Sequence, residues 1–364
     1  MKKFFFFAIA ALGMMASCQK QSTTPAVDGD AQVAVSFGID APMATVSSKA
    51  AVDAWSGAEA LYVYGFPTAC TDFSAEGAAF INNVPVNSPA AGVKGDVTPM
   101  TNGVPYYYAA DNTTYDFYGY YVGTATVEQP VMTAANVTVN VTIDGSQDLM
   151  LAKADQATDV AGTEIEDYPA RAYSAYSARK GIKPTLKFAH QLARFDFKVV
   201  AGAASALAGS ETAVSVTGIS ILETQNAGTL TVVGADRAFV GAGEYNATLA
   251  LAGIATDGVA PATVKGAAEE PTAVGESLMV VPGETSYKMQ YVLAQNGVNA
   301  EPAEITLDIN KFGDEAVAAG KFLAGYKYVV TLTVYSLEKV DITAELEEWN
   351  DGGSFGYDPD EDWE

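Results

Sequence analysis

The sequence of 364 residues is poor in the side chains that most catalytic and nucleic-acid-binding sites need. It holds one histidine and two cysteines, so clustered imidazoles and the paired cysteines of a zinc site are excluded. Lysine and arginine number 20 against 44 aspartates and glutamates, a formal net charge of -24. Because each phosphate contact needs a basic side chain, this balance argues against DNA and RNA partners. Phosphate-cradling glycine motifs and a nucleophile elbow are also missing, and we predict neither an enzyme nor a bound cofactor.

Long hydrophobic runs are equally scarce, and the one at the N-terminus is too short to span a bilayer. Lys2 and Lys3 precede an apolar run at 4–15, about a dozen residues where a membrane helix needs ~20. This pattern predicts a signal peptide at 1–17. Met15-Ala16-Ser17-Cys18 resembles the bacterial lipobox, so we expect Cys18 to carry a lipid anchor. The alternative is an ordinary signal peptide with an incidental cysteine.

The residues after Cys18 predict a tether, one strand and a loop that a protease can reach. Residues 19–30 are small and polar, as in a flexible spacer. Apolar side chains then alternate along the chain and predict a strand with one buried face: Val33, Val35, Phe37 and Ile39. Lys49, before Ala50, is a lone basic residue in a small-residue loop, and is either a trypsin-like cleavage site or simply a loop lysine.

Most of the remaining sequence has the two-residue period of β-strands. Hydrophobic residues make up 49% of the chain and charged residues 18%, so the chain can bury enough apolar surface to fold. The runs recur without long helical patterns between them, which predicts an all-β fold of antiparallel sandwiches. The segments Asn226-Ala227-Gly228 and Gln295-Asn296-Gly297 predict hairpin turns. The runs are 61–66, 115–122, 137–143, 186–200, 214–222, 228–233, 278–281, 287–293, 305–309, 326–337 and 340–346.

A stretch of small, polar and charged residues at 152–183 predicts the boundary between two domains of ordinary size. The predicted organisation is a signal peptide at 1–17, a lipidated propeptide with the first strand at 18–49, domains at 50–183 and 184–349, and an acidic tail at 350–364.

Four groups of residues are candidate sites of chemistry. We expect His190 to point inward and to bond to the backbone, not to act as a base. If Cys18 is acylated, Cys70 has no disulfide partner, and we expect it to be buried and structural. A surface hydrolase that uses paired carboxylates is a further hypothesis, because aspartate and glutamate are abundant. Tyr106, Tyr107 and Tyr108 could stack on sugars, although aromatic residues of sandwiches usually belong to cores and sheet edges.

Several local patterns, in order along the chain, resemble the fimbrillin family, the lipoprotein-derived pilins (type V pili) of Bacteroidales. They are the lipobox, Trp55 followed by 61–66, the aromatic segments 106–108 and 115–121, the segment 148–152, the segment 186–194, and the closing segments 325–328 and 345–349.

The resemblance implies two tandem transthyretin-like β-sandwich domains and export as a lipoprotein to the cell outer membrane. It further implies that a trypsin-like protease cuts the first long loop, here between Lys49 and Ala50, and removes a strand, here 31–39. Lys49 stands where the family usually has arginine. A C-terminal strand of another subunit would then fill the vacated groove. On this sequence the donor strand would present Val340, Ile342, Ala344 and Leu346.

The resulting prediction is a structural subunit of surface fimbriae that supports cell adhesion. Its expected partners are other fimbrial subunits, the processing protease, the outer membrane through the lipid, and a host or bacterial surface ligand. The alternative is a monomeric outer-membrane surface lipoprotein that binds a glycan or host ligand.

Overall fold

The computed structural model describes residues 32–40, 54–90, 95–111, 113–312 and 319–348. The predicted sites Cys18, Lys49 and Ala50 lie outside these ranges.

The described strands are β1 Phe37–Ile39, β2 Ala60–Pro67, β3 Ile81–Asn87, β4 Gly95–Val97, β5 Met100–Thr101, β6 Val104–Pro105, β7 Tyr115–Tyr121, β8 Thr126–Val127, β9 Val131–Met132, β10 Val137–Thr142, β11 Met150–Lys153, β12 Thr185–Leu186, β13 Ala189–His190, β14 Ala193–Ala201, β15 Val214–Thr224, β16 Ala227–Val233, β17 Phe239–Ala242, β18 Ala247–Ala250, β19 Thr272–Val280, β20 Ser286–Gln295, β21 Val298–Asn299, β22 Ala303–Asp308, β23 Tyr326–Ser336 and β24 Lys339–Glu348. The α-helices are α1 Gln156–Val160 and α2 Ala175–Arg179, and 3-10 helices lie at Pro169–Arg171, Ala204–Ala206 and Ile309–Lys311. None of these described helices has the length and apolar character that crossing a membrane requires.

Two sheets enclose the N-terminal core. One has the strand order β12-β1-β4, and the other has the order β13-β11-β7-β2-β3. Side chains of β1 meet those of β2 and β7 in a cluster that includes Phe37, Leu61 and Phe117. Both short α-helices belong to this half, where Val160 of α1 joins the same cluster. The stretch 152–183 therefore contributes to the N-terminal core.

The β2–β7 pair is buried on both faces, which explains its run of aromatic residues. Leu61 and Val63 face the core beneath β1, whereas Tyr64 and Phe66 face a second cluster on the opposite side. A strand covered on both faces has no solvent side to supply polar residues, so its sequence loses the clean alternation of a surface strand. Gly119 of β7 makes room for a neighbouring ring, since an added Cβ would lie 2.9 Å from Cζ of Phe188.

A third sheet joins the two halves of the chain. Its order is β17-β16-β10-β8, and β9 also pairs with β10. Strand β10 precedes the predicted boundary at 183/184 and β16 follows it, yet the two pair antiparallel from Val137↔Val233 to Thr142↔Ala227. Main-chain pairing therefore runs across that boundary, and the division into domains at this position stays a prediction.

The C-terminal core lies between two further sheets. The first has the order β19-β14-β23-β24, and the second has the order β18-β15-β20-β21 with β22 also paired to β20. Phe195, Phe322 and Tyr328 form the centre of an aromatic group between them. Strand β24 pairs only with β23 among the described strands and forms the edge of its sheet.

The all-β prediction is confirmed, with two departures in detail. Pairs β1–β12 and β14–β23 are parallel, although the sequence predicted antiparallel sheets. The hairpin predicted at Asn226 is wrong, because β15 and β16 enter different sheets. The turn at Asn296 does connect a pair, β20–β21, and its positive φ values of 52° at Asn296 and 75° at Gly297 suit a tight hairpin.

Candidate functional site

The segment 32–40 lies between neighbours on both sides. Its strand β1 runs parallel to β12, with Ile39 opposite Leu186, and antiparallel to β4, with Phe37 opposite Val97. A strand in this position donates and accepts main-chain hydrogen bonds along both edges. The segment is therefore an interior part of its sheet and is not attached to the outside of a complete domain.

Hydrogen bonds extend this pairing beyond β1 itself. Toward the N-terminus, Val35 N donates to Tyr106 O at 2.8 Å, and Tyr108 N donates to Val33 O at 3.0 Å. Toward the C-terminus, Asp40 N donates to Leu186 O at 3.2 Å. The segment is held along its length by two different stretches of chain.

The inward face of the segment is fully buried. Val35, Phe37 and Ile39 are each 0% exposed. The Phe37 ring packs edge-on against Phe117 with 5.1 Å between centroids. Burial of such side chains is worth ~1.5–3 kcal/mol each, or roughly 5–9 kcal/mol for the three together. The alternation in the sequence thus corresponds to a face that the N-terminal core buries completely.

Trp55 fastens the C-terminal end of this segment. Its indole Nε1–H donates to the main-chain oxygen of Asp40 at 3.0 Å, and its ring is 1% exposed. The ring packs edge-on against Tyr121 and Phe188, with centroids 5.8 and 5.4 Å away. Asp40 and Trp55 flank the loop that contains the predicted cleavage site, so the two ends of that loop are joined by a contact that does not depend on the loop itself.

A carboxylate fixes the chain immediately after Trp55. Glu59 accepts hydrogen bonds from Ser56 N at 2.9 Å, from Ser56 Oγ at 2.6 Å, and from Ser88 Oγ. Burial by itself would raise the pKa of Glu59, but the hydrogen bonds from Ser56 and Ser88 outweigh it and hold the pKa below its usual value of 4.5. The ionised form therefore stabilises the turn that presents Trp55.

The predicted donor residues lie on the edge strand β24. Val340, Ile342, Ala344 and Leu346 are half-buried and pack against the C-terminal core. The alternate residues Asp341 and Thr343 are exposed. A groove of about 420 Å³ runs beside the strand, lined on the β24 side by Ile342 and Ala344 and on the other side by Leu307 and Phe312 among others.

The structure does not bring the two predicted partner segments together. Segment 32–40 belongs to the β12-β1-β4 sheet, and β24 belongs to the edge of a C-terminal sheet. Within one molecule, each segment already has its own partners. Any exchange between these positions therefore requires a second molecule.

The tyrosines at 106–108, which were candidates for stacking on sugars, pair with the first strand instead. Tyr106 and Tyr108 exchange main-chain hydrogen bonds with the segment 32–40. The Tyr108 side chain is buried at 5% exposure, and the Tyr106 hydroxyl lies 2.5 Å from Thr101 Oγ1. The sequence singled out these tyrosines as a candidate sugar platform and as points of resemblance, and Trp55 as a point of resemblance, since their pairing with the segment is not visible in local composition.

His190 points inward as predicted, and one of its partners is a side chain. Its Nδ1 lies 2.9 Å from Asp148 Oδ2, and both side chains are almost fully buried. Met150 of β11 pairs with His190, which brings Asp148 alongside. Among the described residues, no cluster of three or more His, Cys, Asp or Glu side chains has the arrangement of a metal site.

Cys70 is half-buried, where full burial was predicted. It packs at the margin of the core, and its thiol donates to Asp72 O at 3.5 Å.

Comparison with known proteins settles the family. The sequence profile of the fimbrillin-like family matches residues 48–349. The chain belongs to the fimbrillin-like family. The match begins one residue before Lys49 and ends one residue after β24.

Solved structures resemble this fimbrillin-like chain in fold. A candidate cell adhesion protein from Bacteroides uniformis is 20% identical, with a TM-score of 0.53 and coverage of 89% of this chain and 100% of that chain. A candidate cell adhesion protein from Bacteroides ovatus is 15% identical, with a TM-score of 0.50 and coverage of 88% and 99%. No curated protein matches the fimbrillin-like sequence.

Proposed function

We propose that this protein is a structural subunit of surface fimbriae that assembles by strand exchange after its N-terminal strand is removed. One observation carries the proposal: the segment 32–40 is an interior strand whose Val35, Phe37 and Ile39 fill the N-terminal core. Membership of the fimbrillin-like family supports the fimbrial setting.

Loss of this segment would leave an apolar groove exposed to water, which is unfavourable. The rings and methyl groups beneath Phe37 would be exposed, and the facing main-chain groups of β4 and β12 would lose their partners. An unpaired edge beside an apolar trough is a template for an added strand. An incoming strand must replace both the hydrogen bonds and the buried side chains to restore stability.

Strand β24 is suited to that role. It offers four apolar side chains at alternate positions, as the segment 33–39 does. Among the strands that the structure describes, it pairs with β23 alone, so detaching it breaks a single ladder. An edge strand costs less to withdraw than an interior one because only one side is hydrogen-bonded.

The remaining steps of the proposal concern the N-terminal region. Cys18 would anchor the precursor in the outer membrane, and a trypsin-like protease would cut between Lys49 and Ala50 to release the anchored piece with its strand. The subunit would then pass from the membrane to the fimbrium. The role is structural and adhesive, without catalysis.

The test compares the precursor with its Lys49→Ala variant, each treated with trypsin at low dose and then incubated at high concentration. We expect the precursor to lose its N-terminus and form heat-resistant ladders on gels and fibres in electron micrographs, while Lys49→Ala stays intact and monomeric. A cleanly cleaved protein that has lost its N-terminal segment and remains monomeric would contradict strand exchange and leave the monomeric surface lipoprotein.

A further inference from the structure

A polar cavity of about 410 Å³ lies at one end of the N-terminal half, away from both exchanging segments. Thr114, Arg171, Ser174 and Tyr176 line it. Thr114 immediately precedes β7, Arg171 ends the 3-10 helix Pro169–Arg171, and Ser174 and Tyr176 lie at the N-cap and in the first turn of α2. We call it the Arg171 pocket. Its volume is within the range of small-molecule sites and is large enough for one or two sugar rings.

Arg171 brings an uncompensated positive charge to this pocket. In a chain of net charge -24, its exposed guanidinium has no carboxylate within ion-pair distance among the described residues, and it lies over the Tyr168 ring at 5.1 Å. Nearby Lys180 differs, because Glu164 neutralises it at 2.5 Å. The planar fork of an arginine matches the two oxygens of a carboxylate.

Exposed tyrosine rings flank the arginine. Tyr168 and Tyr176 are 57% and 47% exposed, unlike most aromatic residues of this half, which are buried. Exposed aromatic faces with a polar edge suit the apolar face of a sugar ring. Arg171 lies over the Tyr168 ring and lines the pocket together with Tyr176, so the site offers a cation for an anionic group and exposed aromatic rings for the sugar that bears it.

The residues that support the pocket are held in place by hydrogen bonds within the protein before any ligand binds. Ser174 caps α2, with Ser177 completing a capping box. The neighbouring Tyr173 is buried, donates its hydroxyl proton to Asp159 Oδ2 at 2.6 Å, and accepts a main-chain hydrogen bond from Tyr115 at 3.0 Å. A preorganised frame lowers the entropy cost of binding.

We propose that the Arg171 pocket binds a sugar that carries a carboxylate, with Arg171 holding the carboxylate and Tyr176 or Tyr168 contacting the ring. Uronic acids and sialic acids share this chemistry. The inference does not rest on strand exchange, because no residue of the pocket belongs to the segment 32–40 or to β24.

Binding is measured by ligand-observed NMR on the full-length protein purified in detergent. The main probes are galacturonic acid, its methyl ester and galactose, which share the galactopyranose ring and differ only in the group at C6. N-acetylneuraminic acid tests whether the carboxylate of a sialic acid binds in place of that of a uronic acid. We expect galacturonic acid or N-acetylneuraminic acid to bind, and galactose and the ester to bind about tenfold more weakly or less, because they lack the charge-assisted contact.

Variants locate the site. Arg171→Ala should weaken binding of the acidic sugar about tenfold or more, and Arg171→Lys should recover only part of it because the fork is lost. Tyr176→Ala should also weaken binding, whereas Tyr245→Ala, at a similarly exposed tyrosine of the C-terminal half, should not. Equal binding of galactose and galacturonic acid, absence of binding by both acidic sugars, or unchanged binding by folded Arg171→Ala would each overturn the proposal.

Discussion

The indole N–H of Trp55 donates a hydrogen bond to the main-chain oxygen of Asp40, and this contact bridges the two ends of the loop that contains Lys49. A cut in that loop breaks one covalent bond but leaves the bridge, the strand pairing of 32–40 and the buried Phe37 in place. Proteolysis and strand release are therefore separate events. The first would hydrolyse the peptide bond after Lys49, and the second requires several kcal/mol of contacts to be broken or replaced.

The first prediction concerns Trp55→Phe. After trypsin has cut at Lys49, we expect the N-terminal piece to leave this variant roughly 2- to 12-fold faster than wild type, the rate equivalent of one net hydrogen bond. Size-exclusion chromatography at timed intervals measures how much of the piece remains bound. Tyr121→Phe is the control, because it keeps an aromatic ring beside Trp55 and leaves the bond to Asp40 intact. Equal release from all three proteins would show that the bridge does not hold the strand.

The second prediction concerns the precursor's stability. Phe37→Ala should lower the free energy of unfolding by about 3–5 kcal/mol, since it empties a fully buried aromatic site. Ser36→Ala, one residue away on the other face of the strand, should cost about 1 kcal/mol or less. Chemical denaturation followed by tyrosine and tryptophan fluorescence measures both. A loss below 1 kcal/mol for Phe37→Ala would mean that the core is complete without the first strand.

The third prediction separates the two faces of β24. Ile342→Asp places a charge on the apolar face and should abolish heat-resistant ladders after cleavage, because an unpaired charge cannot enter an apolar groove without a large penalty. Thr343→Asp adds the same charge on the exposed face and should leave the ladders unchanged. Circular dichroism of both monomers checks that the remainder of each subunit is folded. Ladders of normal intensity from Ile342→Asp would remove β24 as the donor.

The fourth prediction follows from the lowered pKa of Glu59. A carboxyl group whose pKa is lower in the folded state than in the unfolded state adds stability above the unfolded-state pKa, and this contribution is lost as the pH falls through the folded-state pKa. Wild type should therefore exceed Glu59→Gln in stability near neutral pH, and the difference should shrink below the usual pKa of 4.5. Denaturant titrations from about pH 7 to about pH 3 measure it. Glu76→Gln, at an exposed position, should track wild type throughout; a constant gap for Glu59→Gln would contradict the assignment.

The sequence predicted the strands themselves well, because a two-residue period is a local signal. The runs at 61–66 and 137–143 became β2 and β10 with boundaries shifted by at most one residue. The alternation from Val33 to Ile39 correctly predicted which face of the first strand is buried. A two-residue period arises because alternate side chains of a strand are buried, so the period predicts correctly which of them face the core.

Pairing between distant segments could not be predicted from the sequence. The long run at 186–200 is three strands, because the chain leaves the N-terminal sheets after His190 and enters the β14 sheet at Ala193. The apolar positions change phase within this run, from Leu186, Phe188 and Leu192 to Phe195, Phe197 and Val199, but the local pattern does not show why. For the same reason neither the parallel neighbour of β1 nor the Asp148 partner of His190 could be predicted: each depends on which strand lies alongside, and nothing in the local pattern specifies it.

The ladder between β10 and β16 has a mechanical consequence. Six residues of one half of the chain are paired main chain to main chain with the other half, so the halves cannot hinge apart without rupturing that ladder. In a filament built from such subunits, this ladder would resist separation of the two halves of each subunit, so bending would fall at the junctions between neighbours.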